Sequence, residues 1–421
     1  MNSRRFPSFS FPAKASVKTL AALIATSTLL TACGGGSSQS TEETSDEHEH
    51  TGRLLFSLSD SDTLMVFDQE ESAFESVEDS AAGNAATLVL ADNGLSAAVL
   101  SNGIADFVYS GLHSEEEEEA LVEAEGEHGH EEAELLSRSL DTVTAMTSTQ
   151  GHFSLLQSGS TVLLPAEDLE DTELDFENTT GPASQTYPGL LLEEEHELML
   201  FFAADKAQVY EAGAATGDEF SCTNPAASVQ GTEFALVLCD EGVLTVKVEE
   251  TETDHEIDSD TLTALSSATQ LRSNGHDFAA FSADGLWLIH EDDNETLQAE
   301  TVSLTDVDNI CNAAFATEDE ESLAVLNSAG YLHIIDAESA EETRIALDET
   351  VTTNLSCDAL TLANGPEGFM VVDKNDGILY IIDAHDGSPY HVHSRYQDNA
   401  LTTLADVVLM HAIDAEHAHE H

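Results

Sequence analysis

Basic residues are scarce in this chain of 421 residues, which has 12 Lys and Arg against 82 Asp and Glu. The formal net charge at pH 7 is −70 with histidine neutral. A surface of this charge repels phosphate backbones and is not attracted to acidic lipid headgroups, so nucleic acid is excluded as a partner. The carboxylates themselves need no explanation beyond solubility, because like charges keep chains apart.

Tryptophan and methionine are also rare, with one Trp and six Met. The single Trp287 argues against dehydrogenases that hold a quinone cofactor among repeated tryptophan docking motifs. The scarcity of Met disfavours a Cu(I) site, which prefers soft sulfur ligands. The chain also lacks a G-x-S-x-G elbow, an H-E-x-x-H motif and a Gly-rich phosphate loop. We therefore predict that the protein is not an enzyme.

Basic residues are concentrated near the N-terminus, where they precede the mostly apolar segment LAALIATSTLL and then Leu-Thr-Ala-Cys. This order is typical of a secretory signal, and its last four residues resemble a bacterial lipobox. We expect residues 1–32 to be a lipoprotein signal peptide and Cys33 to be lipidated. Gly34, in place of an aspartate, favours an outer-membrane anchor facing the periplasm, with membrane contact through the lipid alone. An ordinary cleaved signal is the alternative.

Four further cysteines remain, and an even number in an exported chain favours disulfides. We favour the two pairings between sequence neighbours, Cys222 with Cys239 and Cys311 with Cys357. Free thiols or a thiolate metal site remain open as alternatives, although no Cys-x-x-Cys supports the latter.

One pattern recurs along the chain: an apolar run, a short turn of Asp, Asn, Gly or Ser, and a second apolar run. Such a pattern predicts a β-hairpin, and eight hairpins about 45 residues apart predict a β-propeller. The eight segments are 52–68, 94–111, 151–166, 197–213, 232–248, 276–292, 321–337 and 367–384.

The intervals between hairpins leave room for two further strands per blade. The first hairpin has almost no chain before it, whereas 404–413 is a strand-like segment without a hairpin. The C-terminal strand would therefore complete the first blade and close the ring. We predict an all-β fold, a single propeller over 52–413 with eight four-stranded blades and seven as the alternative. A flexible acidic and histidine-bearing tether (33–51) precedes it, and a histidine-rich tail (414–421) follows it.

Two histidines occupy matching places in the repeat. His152 in GHF and His276 in GHDF both stand where an innermost strand turns into its hairpin. Both are expected at one mouth of the central channel, where they and a carboxylate such as Asp277 would suit Zn(II). Each alone is more commonly a turn histidine bonded to backbone.

Further histidines cluster in acidic segments. His113, His128 and His130 lie in an insertion at 110–134, and His48 and His50 lie on the tether. The insertion is longer than a blade connection needs, and such loops are often functional. Neutral imidazole binds borderline divalent ions, and the carboxylates raise the local cation concentration. We expect these segments to collect metal, with nickel, cobalt and Cu(II) not excluded.

Four features resemble the AztD-type periplasmic zinc metallochaperones: the leader DEHEHTGRLLFSLSDSDTLMVFD, the pair EHGHEE and GHF, the cysteine-flanked CTNPAASVQGTEFALVLCDEGVLTV, and SNGHDF. The resemblance runs along most of the mature chain. It implies a β-propeller that captures Zn(II) and passes it to the solute-binding protein of an ABC zinc importer. The histidine segment is less dense here and carries a glutamate run instead.

The sequence thus favours a lipid-anchored zinc metallochaperone of the periplasm. The alternative is a β-propeller scaffold in an envelope protein complex that handles no metal. A third possibility is a propeller hydrolase or lyase, which would need convergent carboxylates in a deep channel.

Overall fold

The structure is a computed structural model of the whole chain. It describes residues 52–69, 71–112, 132–136, 139–169, 174–250, 255–291, 296–305, 309–316, 322–336, 342–347, 356–365, 368–383 and 389–411. The predicted signal peptide, Cys33, the tether and the tail lie outside these ranges. Among the residues described, no helix combines the length and the apolar character needed to cross a membrane.

Eight antiparallel sheets form the fold, and each sheet is one blade of a propeller. Each blade is given below from its innermost to its outermost strand. Blade 1 has β33 (Leu404–His411), β1 (Gly52–Leu58), β2 (Thr63–Asp68) and β3 (Ala73–Asp79). Blade 2 has β4 (Thr87–Leu90), β5 (Ser96–Ser101) and β6 (Ile104–Tyr109), followed by two short strands that both pair with β6, β7 (Glu134–Leu135) and β8 (Leu140–Asp141). Blade 3 has β9 (Val143–Thr149), β10 (His152–Gln157), β11 (Ser160–Pro165) and β12 (Glu177–Asn178).

The remaining blades have four strands each in chain order. Blade 4 has β13 (Tyr187–Glu193), β14 (Leu198–Ala203), β15 (Lys206–Glu211) and β16 (Ala214–Ser221). Blade 5 has β17 (Ala227–Gln230), β18 (Phe234–Cys239), β19 (Gly242–Glu250) and β20 (His255–Leu262). Blade 6 has β21 (Gln270–Ser273), β22 (Phe278–Ser282), β23 (Gly285–Glu291) and β24 (Leu297–Val302).

Blade 7 has β25 (Ile310–Phe315), β26 (Ser322–Asn327), β27 (Tyr331–Asp336) and β28 (Glu342–Ala346). Blade 8 has β29 (Leu360–Gly365), β30 (Gly368–Asp373), β31 (Ile378–Asp383) and β32 (His391–Gln397). Short 3₁₀ helices occupy Glu167–Leu169, Thr263–Leu265, Cys357–Ala359 and Asn399–Thr403.

Hydrophobic cores lie between neighbouring blades, one at each of the eight junctions. The second and third strands are covered on both sides, so strands such as β1 and β30 are buried along their whole length. Each fully buried large apolar side chain contributes about 1.5–3 kcal/mol. Gly189 on β13 lets the Phe201 ring of the neighbouring strand β14 lie against the backbone within blade 4, because a Cβ there would lie 2.7 Å from that ring.

The ring is closed by β33, which pairs antiparallel with β1 from Gly52 opposite His411 to Leu58 opposite Leu404. The C-terminal strand thus completes the blade that begins the chain, as predicted. The eight-blade count is confirmed, and every predicted hairpin forms the second and third strands of a blade. One detail differs, because the outer edge of blade 2 is shared by β7 and β8 instead of one longer strand.

Two disulfides are present, Cys222–Cys239 and Cys311–Cys357, which are the pairings that the sequence favoured. The first joins the end of blade 4 to the second strand of blade 5. The second joins the innermost strand of blade 7 to the chain just before that of blade 8. Both therefore stabilise contacts between neighbouring blades, and these thiols are not available to a metal.

Candidate metal-binding face

In every blade the connections from the first to the second strand and from the third to the fourth lie at the same end of the sheet, because the strands are antiparallel. We call this side of the ring the upper face. The opposite, lower face carries the hairpin turns between second and third strands and the crossings from blade to blade.

The described ends of the propeller chain both lie on the upper face. Gly52 begins β1, His411 ends β33, and the two are paired. The chain before residue 52, with His48 and His50, enters here, and the chain after residue 411, with the tail histidines, leaves here. The side chains of the histidines in both segments lie outside the described residues.

The histidine segment of blade 2 is attached to the same face. It connects the third strand of the blade, β6, to the outermost strand, β7. Tyr109 before the segment and Glu134 after it are paired across these two strands. His113, His128 and His130 fall within residues 113–131, which are outside the described residues.

The described histidines are concentrated toward this face. Nine of the 18 lie in segments outside the described residues, and each of these segments joins the propeller at the upper face. Nine lie within the described residues, and only His333, inside β27, is placed away from that face. The other eight stand in upper-face connections or toward the upper ends of strands: His152, His196, His255, His276, His290, His391, His393 and His411.

His152 is buried and stands at the first position of β10, one residue after its turn. Its Nδ1 lies 2.7 Å from the carbonyl oxygen of Gln150. A ring N–H given to that carbonyl leaves Nε2 as the ligand atom, which is the arrangement that commonly orients metal-binding histidines. Asp92, in the neighbouring turn of blade 2, accepts hydrogen bonds from Gly151 N at 2.9 Å and from Ser148 Oγ at 2.5 Å.

His276 is exposed in the matching turn of blade 6, which Asn274 organises. The Asn274 side chain accepts hydrogen bonds from the backbone N–H of His276 at 3.0 Å and of Asp277 at 2.7 Å. Among the described residues, neither His152 nor His276 belongs to a set of three potential ligands lying within 4.8 Å of one another. Their predicted metal site therefore stays a prediction, and its other predicted ligands, such as His128 and His130, lie outside the described residues.

One described set of three potential ligands lies on the upper face of blade 4, and it was not predicted from the sequence. It comprises Glu193, Glu195 and His196, with all ligand atoms within 4.8 Å. Glu193 accepts hydrogen bonds from Glu195 N at 2.7 Å and from His196 N and Nδ1 at 3.0 Å each. Burial alone would raise the pKa of Glu193, but these bonds outweigh it and lower that pKa. Glu193 thus acts mainly to orient His196.

An acidic groove of about 920 Å³ adjoins this turn. The glutamates that line this groove come from blades 4, 5 and 6. They are Glu193, Glu194, Glu233, Glu249 and Glu291, and Lys247 is the cation among the lining residues. Lys247 Nζ lies 2.8 Å from Glu233, 3.5 Å from Glu291 and 3.8 Å from Glu249. The hydrogen bond to Glu233 is the main cause that raises the pKa of Lys247. The excess of carboxylates attracts cations to this part of the face.

A second set of three lies at the edge of blade 8 and comprises Asp383, His391 and His393, again within 4.8 Å. His393 Nδ1 is 3.5 Å from Asp383 Oδ2, and His391 Nδ1 is 3.2 Å from the Pro389 carbonyl oxygen. The sequence signal was the HVH motif at 391–393, because alternate residues of a strand share one side. The carboxylate was not predictable, since the strand register alone brings it there.

His333 shows the contrasting, structural arrangement. It is fully buried, its Nδ1 lies 2.6 Å from Glu342 Oε1, and its Nε2 accepts from the Asn327 side chain at 3.0 Å. Both ring nitrogens are committed inside blade 7, so this side chain serves the core.

The fold and its upper face define an eight-bladed propeller whose described histidines lie mostly on one side. No protein-family model and no curated protein sequence matches the chain. Two solved structures of AztD from Citrobacter koseri, one described as the apo form, superpose with a TM-score of 0.68 at 14% identity. They cover 86% and 87% of this chain, and 99% of the AztD chain in both cases. A periplasmic gluconolactonase of Pseudomonas aeruginosa, PpgL, gives a TM-score of 0.48 at 12% identity over 86% of this chain and 100% of its own. The resemblance to AztD-type propellers is thus confirmed in the fold.

Proposed function

We propose that this propeller is a non-enzymatic metallochaperone that captures Zn(II) on its upper face. The observation that carries the proposal is that eight of the nine described histidines lie in upper-face connections or toward the upper ends of strands. Imidazole and carboxylate are zinc ligands, and an acidic surround raises the local concentration of cations. The AztD-like fold and the sequence resemblance to AztD-type zinc metallochaperones support the same function.

Zinc would be handed on by ligand exchange. The histidine segments at 113–131 and on the tether would collect the ion, and His152 with His276 would hold it together with His128 and His130. A partner that offers its own imidazoles one at a time would then receive it without releasing it to water. The partner we propose is the solute-binding protein of an ABC zinc importer.

We also propose a periplasmic location, with lipid on Cys33 anchoring the protein to the outer membrane. Metabolic labelling with a fatty acid analogue tests the anchor. Labelling of the parent but not of Cys33→Ala is expected, and an unlabelled parent would contradict the anchor while leaving the metal function open.

The decisive experiment compares the protein that begins after residue 33 with its His152→Ala/His276→Ala variant. Both are loaded with zinc and dialysed against a moderate chelator. We expect the parent to retain one or more equivalents of zinc and the variant to retain one equivalent fewer. A parent that keeps no zinc under these conditions would favour the scaffold alternative, in which partner binding survives removal of the histidine segments.

A further inference from the structure

We infer that Asp383, His391 and His393 form a zinc site of their own at the outer edge of blade 8. The inference rests on the proposed function in its choice of metal, and it adds a site that is separate from His152. The site uses only the last two strands of blade 8, whereas His152 begins the second strand of blade 3.

The local fold brings the three side chains together. Asp383 ends β31 and is paired with His391, which begins β32, so their side chains point to the same side of the sheet. Between Ile381 and Ile382 the register of β32 shifts by one residue, and His393 is the extra residue of β32 at this point. Such a β-bulge turns a side chain away from its regular direction. Here the His393 ring is directed at the Asp383 carboxylate.

The distances suit zinc. With Zn–N and Zn–O bonds of about 2.0–2.2 Å, neighbouring ligand atoms of a tetrahedron lie about 3.3–3.6 Å apart. The observed separation of 3.5 Å between His393 Nδ1 and Asp383 Oδ2 falls in this range. The ligand atom of His391 is within 4.8 Å of both, so a small shift of this exposed side chain would bring it to the same ion.

Each ligand has the surroundings that its role requires. Asp383 is 4% exposed in its side chain and fixed at the strand end, whereas His393 is 48% exposed and open to an arriving ion. A hydrogen bond from His391 Nδ1 to the Pro389 carbonyl would hold that ring with Nε2 toward the metal. The blade 4 set is less suited, because Glu193 already accepts three hydrogen bonds from its own turn.

Three protein ligands leave one position of a tetrahedral zinc ion open. A water molecule would fill that position in the resting protein, and an imidazole or thiolate of a partner would displace it. The exposed edge of blade 8 gives such a partner direct access. The site therefore suits an ion that is passed on better than one that is kept permanently.

The test uses the protein that begins after residue 33 and compares three variants. His391→Gln/His393→Gln removes both imidazoles, and Asp383→Asn removes the carboxylate charge at nearly constant size. His290→Gln is the matched control, since His290 is exposed at the upper end of β23 and outside both described ligand sets. Thermal unfolding of the metal-free proteins verifies that all three fold.

Zinc retained after chelator dialysis and the visible absorption of the Co(II)-loaded proteins are the readouts. We expect the double variant to bind one zinc ion fewer than the parent. Its Co(II)-loaded form should also lack the visible absorption that a tetrahedral cobalt ion at this site contributes. Asp383→Asn should lower the affinity for the zinc ion at this site about tenfold or more. His290→Gln should match the parent in zinc content and cobalt absorption.

A double variant with the zinc content and cobalt spectrum of the parent would overturn this site. If that parent zinc still depends on His152 and His276, the proposed function stands and only the blade 8 site fails. A parent that retains no zinc would overturn both.

Discussion

Asp92 of blade 2 accepts a hydrogen bond from the backbone N–H of Gly151 in blade 3 at 2.9 Å, and this contact fixes the turn that presents His152. The other carboxylate oxygen accepts from Ser148 Oγ on the preceding strand. A single side chain of one blade thus holds both ends of a turn in the next. His152 is positioned by a neighbour about sixty residues earlier in the chain, which is a contact that only the ring arrangement provides.

Replacing Asp92 by Ala should therefore weaken zinc binding at His152 without unfolding the propeller. The hydrogen bond is exposed, so the free energy of unfolding should fall by only about 1 kcal/mol. The affinity loss should be about tenfold, as is usual when a group that orients a ligand is removed. Chelator competition measures it. Asp92→Asn, which keeps an acceptor oxygen, should retain most of the affinity.

Asp205→Ala is the matched control for charge, because Asp205 lies in the hairpin turn of blade 4 on the lower face. It removes the same charge on the side away from the histidines. An equal loss of affinity in Asp205→Ala would mean that overall charge matters and that the turn geometry does not.

The acidic histidine segment at 113–131 should affect how fast zinc is captured more than how tightly it is held. Replacing His128 and His130 by Gln removes two ligands that the sequence predicts, and the described strands β6 and β7 remain unchanged. We expect the rate of zinc uptake from a weak chelator, followed by stopped-flow, to fall severalfold. Unchanged uptake would assign this segment to solubility alone.

The contact between His333 and Glu342 is predicted to stabilise the fold and to have no part in metal binding. Glu342 also accepts from Thr305 N and Oγ1. Burial alone would raise the pKa of Glu342, but the bonds from His333 and Thr305 outweigh it and place that pKa below its ordinary value. Because the folded state then binds the proton more weakly than the unfolded state, Glu342 stabilises the fold above the ordinary Glu pKa of about 4. This contribution is lost as the pH falls through the lowered pKa.

Glu342→Gln should consequently lower the free energy of unfolding by about 1–3 kcal/mol near neutral pH. The difference from the parent should shrink in acid, and urea titrations at a series of pH values measure both. Zinc content should not change. A difference that grows toward low pH would contradict the assigned sign.

The fold was predictable from the sequence to a large extent because each blade carries its own local signal. The hairpin at 367–384 shows two apolar runs on either side of a turn. The segment at 404–413 has no hairpin of its own, and the first blade lacked an innermost strand, so a position beside β1 could be predicted for it. The blade 2 edge was not predictable in the same way, since β7 and β8 are two residues long and carry no periodic pattern.

The site was predictable only in its residue types. The sequence placed His152 and His276 in corresponding repeats, and both do lie at first-to-second-strand connections of the upper face. It could not bring Asp383 to His393, because that contact depends on a one-residue register shift in β32. Nor could it separate His333 from the rest, since only burial distinguishes that histidine.

Removal of the Cys222–Cys239 disulfide should lower stability without changing metal binding. Cys222 lies in the crossing from blade 4 to blade 5 and Cys239 at the hairpin of blade 5, so this bond is on the lower face. A bond that closes a loop of about 17 residues stabilises by about 3 kcal/mol in the chain-entropy description. Cys222→Ser/Cys239→Ser should therefore lower the unfolding temperature measurably while the folded protein retains the zinc content of the parent. Loss of zinc from the still-folded variant would revive the thiolate alternative and would move the metal site away from the histidine-rich upper face.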